Sequence, residues 1–190
     1  MKKNLAIAFL MTVVTTALLG LVYPLVMTGV SQLLFPGKAN GQLIVRSGQM
    51  IGSRIIGQPF TGPGYFHSRP SAAGDNGYDA ANSGGTNLGP TNRKLIDRVD
   101  RDAAALQQEN PKATVPIDLV TTSASGLDPD ITPASAFFQV PQVARERHLS
   151  EAQVATLVTT RVQRRQWGFL GEPRVNVLEL NLALDELSKK

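Results

Sequence analysis

One stretch limits what this chain can fold into more than any other. No charged residue lies between Lys3 and Lys38, and Leu5 to Phe35 is dense in Leu, Val, Ile, Phe and Ala. A bilayer core of about 30 Å needs about 20 apolar helical residues, fewer than this run supplies. Hydrocarbon offers no partner to backbone N–H or C=O, so a lone spanning segment must be a helix. Twelve Leu, Ile, Val or Phe residues lie between Leu5 and Val26. At roughly −0.3 to −0.6 kcal/mol each near the bilayer centre, they outweigh three threonines and Pro24. The expectation is a transmembrane helix over residues 1–36 and a soluble domain over 37–190.

A secretory signal would have an apolar core of about 7 to 15 residues, and this one runs on through Tyr23-Pro24-Leu25 to Phe35. Ala39-Asn40-Gly41 resembles a weak cleavage signal; the length argues for a retained anchor. Lys2 and Lys3 place the N-terminus in the cytoplasm by the positive-inside tendency, which sends the soluble domain outside. Ala8, Thr12, Thr16, Gly20, Pro24 and Thr28 recur at every fourth position. Compact residues at such spacing let membrane helices approach closely, which suggests a packing face for partner helices.

Beyond the anchor about 150 residues remain, enough for one ordinary domain. Nineteen basic residues face fifteen acidic ones, so there is no basic patch to recommend a nucleic-acid partner. Cysteine is absent and the histidines are only His67 and His148, which argues against thiolate chemistry and a histidine-rich metal site.

Gln42-Leu43-Ile44-Val45 and Ser53-Arg54-Ile55-Ile56 read as the strands of a short hairpin. Residues 58–92 are rich in Gly and Pro yet carry Phe60, Tyr65, Phe66 and Tyr78, a composition that favours an ordered, binding-competent loop over disorder. Leu95, Ile96, Val99, Ala103 and Leu106 have helical spacing. Val115 to Val120 is a strand candidate limited by Pro116. Thr132-Pro133 opens a helix expected to break before Pro141. Ser150-Glu151-Ala152-Gln153 is a capping box, and Arg161, Arg164 and Arg165 complement the dipole at the end of that helix. Arg174 to Leu178 alternates like a strand, and Leu180, Ala183, Leu184 and Leu187 suggest a closing helix. The fold class is therefore one N-terminal transmembrane α-helix plus a single mixed α+β extracytoplasmic domain.

No complete catalytic set emerges. Gly84 and Gly89 have P-loop spacing, but Pro90 stands where the phosphate-reaching Lys belongs. Ser83-Gly84-Gly85 faintly resembles the signature loop of ABC ATPases, and a tight turn needing glycine dihedrals is the stronger reading by several-fold. The chain lacks a Gly-x-Ser-x-Gly elbow, and the Asp128-Pro129-Asp130 and Asp75-to-Asp79 segments lack the spaced ligands of a calcium loop. Tyr65 and Phe66 are candidates for partner contact or for core.

The order of motifs carries a resemblance. After the basic-flanked helix come Tyr65-Phe66-His67-Ser68-Arg69-Pro70-Ser71, Ser83-Gly84-Gly85-Thr86-Asn87-Leu88-Gly89-Pro90-Thr91-Asn92 and Pro116-Ile117-Asp118-Leu119-Val120-Thr121. Ser123-Ala124-Ser125-Gly126-Leu127-Asp128-Pro129 and Gln139-Val140-Pro141-Gln142-Val143-Ala144 follow. The last are Gly168-Phe169-Leu170-Gly171-Glu172-Pro173-Arg174-Val175-Asn176-Val177 and Leu180-Asn181-Leu182-Ala183-Leu184. Over nearly its whole length the chain resembles the KdpC family, the C subunit of the bacterial Kdp potassium-transporting ATPase. The resemblance implies a non-catalytic accessory subunit in the bacterial inner membrane. Its implied partners are a potassium-channel-like subunit, a P-type ATPase subunit and membrane lipid. It also implies a chaperone role that raises ATP affinity, with no tightly bound cofactor and with ATP met through the complex. A glutamine is proposed in that family to contact nucleotide; Gln139 is the first candidate here and Ser83, Gly84 and Gly85 the second. An outside domain sits awkwardly with direct ATP contact. A stand-alone, membrane-anchored periplasmic binding or hydrolytic domain is the alternative.

Overall fold

The computed structural model describes residues 1–188 and divides into two compact units, one ending at Ile51 and one beginning at Gly52. In the first, Lys2–Leu34 is one helix, long and apolar enough to cross a membrane, with none of it buried by the rest of the chain. It comprises α1 (Lys2–Thr15), a π-helical segment (Thr16–Val22) and α2 (Tyr23–Leu34). Pro24 accounts for the wide turn. A proline ring collides with the carbonyl four residues back, here that of Gly20. The π register instead sends the Tyr23 N–H to the Leu18 carbonyl, five residues back. The expected helix is therefore present, with a local change of pitch.

That pitch also affects the ridge of small residues. In an α-helix each step of four residues overshoots a turn by about 40°. The wider π turn reduces the overshoot between Thr16 and Pro24. The ridge from Ala8 to Thr28 thus winds less than a uniform α-helix would make it. The Thr12 hydroxyl bonds the Ala8 carbonyl at 2.9 Å, leaving its methyl as the outward group.

α3 (Pro36–Ala39) follows, and Asn40 exchanges two amide bonds with Gln32 at 3.1 and 3.2 Å. This pairing ties the segment after the long helix back to it, within the first unit. The hairpin forms from β1 (Leu43–Arg46) and β2 (Gln49–Ser53). Its second strand begins earlier than expected because Ser47 and Gly48, both at positive φ, make the two-residue turn.

In the second unit, residues 58–92 form no regular element. α4 (Arg93–Glu109) is capped by Asn92, whose side chain accepts from the Lys94 N–H at 2.9 Å. Val115–Val120 is not a strand. Pro116 caps a 3₁₀ turn over Ile117–Leu119, and the Asp118 carboxylate is drawn inward to accept from the Thr132 N–H at 2.8 Å. β3 (Asp130–Ile131) pairs antiparallel with β4 (Val175–Asn176), Asp130 opposite Asn176 and Ile131 opposite Val175.

α5 (Pro133–Arg147) runs straight through Pro141 instead of breaking before it. The missing N–H and ring clash cost about 3 kcal/mol. Ala136 and Val140 before the proline and Val143 and Ala144 after it are all buried, and a break would expose part of that face. α6 (Glu151–Arg161) starts at the expected capping box, with reciprocal Ser150 and Gln153 bonds. α7 (Val177–Leu187) is capped by Asn176. Helices α5, α6 and α7 bury Val143, Val154, Val158, Leu180 and Leu184 against Ile131 and Val175 of the small sheet.

Candidate functional site

The irregular segment 58–92 is held to this helical core by side-chain amides. Gln139, on the buried face of α5, accepts from the His67 N–H at 2.7 Å and donates to the His67 carbonyl at 3.2 Å. Asn181, on α7, does the same for Phe66, with both bonds at 2.9 Å. Two consecutive residues are thus gripped by their main-chain groups from two helices, as a β-ladder would grip them. The Gln139 amide also donates to the Ser135 carbonyl at 3.2 Å. Gln139 and Asn181 are 6% and 1% exposed, and their polar atoms are spent inside the domain.

The clamp sets the direction of neighbouring residues. Phe66 is 0% exposed and belongs to the core, which removes its side chain from any partner surface. Tyr65 is half-buried. The Arg147 guanidinium lies 4.2 Å from its ring centroid and also bonds the Gly64 carbonyl at 2.6 Å and Asp185 at 2.9 Å. His67 Nε2 lies 3.0 Å from the Gly62 carbonyl, so its ring serves the loop.

Farther along, Arg69 reaches Asp128 at 2.9 Å and the carbonyls of Thr121 and Thr122 at 3.3 Å. The Ser71 hydroxyl donates to the Gly126 carbonyl at 2.6 Å, and the Tyr78 hydroxyl donates to the Arg69 carbonyl. Burial raises the Tyr78 phenol above its ordinary value. Ser83-Gly84-Gly85 is tied to the loop at Ser125. The Ser83 hydroxyl and Gly84 N–H both donate to the Ser125 carbonyl, at 3.0 and 2.9 Å. Gly126 has φ +68°, and a Cβ there would lie 2.6 Å from the Gly84 carbonyl, so that close approach requires glycine. Gln139 is not near this segment by any hydrogen bond; each candidate nucleotide group is tied into its own part of the domain.

Two clefts border the clamped segment. One, of about 420 Å³, is lined by Phe60, His67, Arg69, Asn76 and Tyr78. The other, of about 240 Å³, holds Asp118, Asp128, Asp130, Arg69 and Arg174. Its carboxylates have partners: Asp118 meets Thr132 and Ser135, Asp128 meets Arg69, and Asp130 meets Arg174 at 2.9 Å. Among the described residues no cluster of three or more His, Asp or Glu side chains is arranged to hold a metal. The site is a framework of mostly paired polar groups that fixes loop shape, with the buried Ser68 hydroxyl left without a hydrogen-bond partner among the described residues.

Sequence reasoning singled out Gln139 but not Asn181, Arg69, Arg147 or Asp118 as its companions. The available signal for Asn181 was an amide on the apolar stripe of a Leu-rich helix, between Leu180 and Leu184.

The chain matches the family model KdpC, described as "K+-transporting ATPase, c chain", over residues 5–186. The potassium-transporting ATPase KdpC subunit of Koribacter versatilis is 69% identical over 185 residues, covering 97% of this chain and 95% of that one. The Acidobacterium capsulatum protein of the same name is 59% identical, covering 97% and 99%. That of Methylobacterium nodulans is 54% identical over 201 residues, covering both chains in full. With a family match across the helix, the clamped segment and the helical core together, this chain belongs to the KdpC family, the c chain of the K+-transporting ATPase.

Proposed function

We propose that this chain is a non-catalytic accessory subunit of an ATP-driven potassium uptake complex. The observation that carries the reading is the family match over residues 5–186, which takes in the apolar helix as well as the domain. Its partners on this reading are a potassium-channel-like subunit and a P-type ATPase subunit. The uncovered ridge of Ala8, Thr12, Thr16, Gly20, Pro24 and Thr28 offers them a helix face. The protein sits in the bacterial inner membrane as a single-pass chain, with Lys2 and Lys3 in the cytoplasm and the domain in the periplasm.

Its influence on ATP use is chaperone-like and passes through the assembled complex. Direct nucleotide contact by Gln139 would require breaking three internal bonds, and ATP is scarce outside the cytoplasm. A tagged chain purified in mild detergent should bring down both partner subunits, identified by mass. A C-terminal reporter active only in the periplasm should report activity. Gln139→Ala should lower the yield of assembled complex while leaving the ATP Michaelis constant of the surviving complex unchanged. A raised Michaelis constant with normal assembly would instead give Gln139 a nucleotide role. A ligand or hydrolytic activity shown by the chain alone would replace the subunit reading.

A further inference from the structure

Between α6 and β4 the chain leaves the domain as an arm. Every residue from Gln163 to Glu172 is exposed, yet the arm is ordered by its own main chain. Gln163 and Arg174 exchange N–H···O bonds at 2.8 and 3.0 Å, and Gln166 and Leu170 exchange two at 2.9 Å. Trp167 and Gly168 both have positive φ and turn the tip over. The tip carries large apolar groups that no other part of the domain covers: Trp167 is 84%, Phe169 68% and Leu170 43% exposed. Arginines cluster around it. Arg165 pairs with Glu172, the one acidic residue in the arm, and Arg174 pairs with Asp130. Arg161 and Arg164 carry no ion pair among the described residues, so the arm keeps uncompensated positive charge beside its apolar tip.

We propose that this arm docks on an anionic phospholipid surface, with Trp167, Phe169 and Leu170 entering the headgroup–acyl boundary and Arg161 and Arg164 meeting lipid phosphates. Aromatic rings with a polar edge favour that boundary, and an indole suits it best because its N–H stays wet while its ring is buried. Guanidinium groups bind phosphate oxygens through paired donors and are weakly hydrated, so they release water at little cost. Charge complementarity therefore selects an anionic surface over a neutral one. A lipid surface is also the partner the chain keeps nearest. Residues 36–51, which join the apolar helix to the second unit, span at most about 55 Å even when fully extended. The tether holds the domain at high effective concentration beside whatever bilayer the helix occupies.

Trp167 is the only tryptophan in the chain, so intrinsic fluorescence of the full-length protein reads the tip directly. The protein would be reconstituted into vesicles of phosphatidylcholine alone or mixed with phosphatidylglycerol, each with and without bromine on the acyl chains near the headgroup. The expected result is blue-shifted emission, quenched by the brominated lipid, stronger with phosphatidylglycerol and reversed by salt. Arg161→Gln with Arg164→Gln should lower the bound-to-free ratio of the tip by roughly ten-fold or more. Phe169→Ser should weaken the shielding without touching the core. Emission that stays water-like and iodide-accessible in every vesicle would overturn the proposal. So would shielding that appears only with co-purified partner subunits and escapes brominated lipid, because the tip would then fill a protein pocket. Neither result bears on membership of the potassium-transporting complex, which co-purification tests separately.

Discussion

At the scale of single residues, the domain depends on buried polar groups with long-range partners. Truncating Gln139 to Ala leaves the His67 N–H without its 2.7 Å acceptor, and a buried unmade bond of this kind costs about 1–3 kcal/mol. Asn181→Leu should cost a similar amount by orphaning both polar groups of Phe66. Thermal unfolding of the detergent-solubilised chain should show both variants melting several degrees below the parent; an unchanged midpoint would mean the clamp is not load-sharing. Asp130 makes a different kind of prediction. Burial raises its carboxyl pKa above the usual range, countered by the Asn176 amide and the Arg174 guanidinium and reinforced by Asp128 and Glu179. The folded chain therefore holds that proton more tightly than the unfolded chain. Its contribution is complete below about pH 4 and is lost as pH rises through the raised folded value. Asp130→Asn should flatten the decline in stability between about pH 4 and neutrality, read from denaturation midpoints across that range. A parallel profile for the two proteins would remove Asp130 as the cause.

At the scale of elements, the junction of α5 and α6 is set by local chemistry. His148 ends α5 with φ 56°, and the Leu149 N–H closes back on the Ala144 carbonyl at 2.9 Å. That left-handed position suits glycine, so His148→Gly should raise stability by roughly 0.5–1 kcal/mol. Ser150→Ala should lower it by about 1 kcal/mol through loss of the capping box. Both are measured as shifts in unfolding midpoint, and opposite signs two residues from each other make a sharp pair. Such caps were legible in sequence because Thr132, Ser150 and their N–H donors lie within one turn. Prolines were legible only in part. Pro116 does deny the ladder a donor, as expected, and the segment becomes a 3₁₀ turn. Pro141 breaks the same local rule inside α5, where buried neighbours on both sides decide the outcome. The clamp was illegible for a simpler reason. Gln139 and Asn181 lie 72 and 115 residues from the peptides they bind, and no window of local pattern spans that separation.

At the scale of the whole molecule, the apolar helix was the most legible feature because its warrant is length and charge alone. The π-helical segment was not legible, although Pro24 is its physical cause, since a proline is equally compatible with a kink. That segment now sharpens the assembly test. A Cβ on Gly20 would meet only the Thr16 Cγ2 of its own helix, at 3.8 Å. The first carbon of a side chain there makes only ordinary contact inside the chain, so the substitution is aimed at what approaches from outside. In lipid no hydrophobic force draws helices together, so close packing at small residues carries much of the association. Gly20→Ile should therefore reduce recovery of the partner subunits with a tagged chain while leaving membrane insertion and the melting of the second unit unchanged. An equal substitution on the bulky side, Leu21→Ile, should leave recovery intact. Equal recovery for parent and Gly20→Ile would move the docking surface off this ridge and leave the helix as an anchor alone. A loss confined to Gly20→Ile would tie the change of pitch at Pro24 to assembly, because the ridge holds to one side of the helix only if the turn between Thr16 and Val22 is wide.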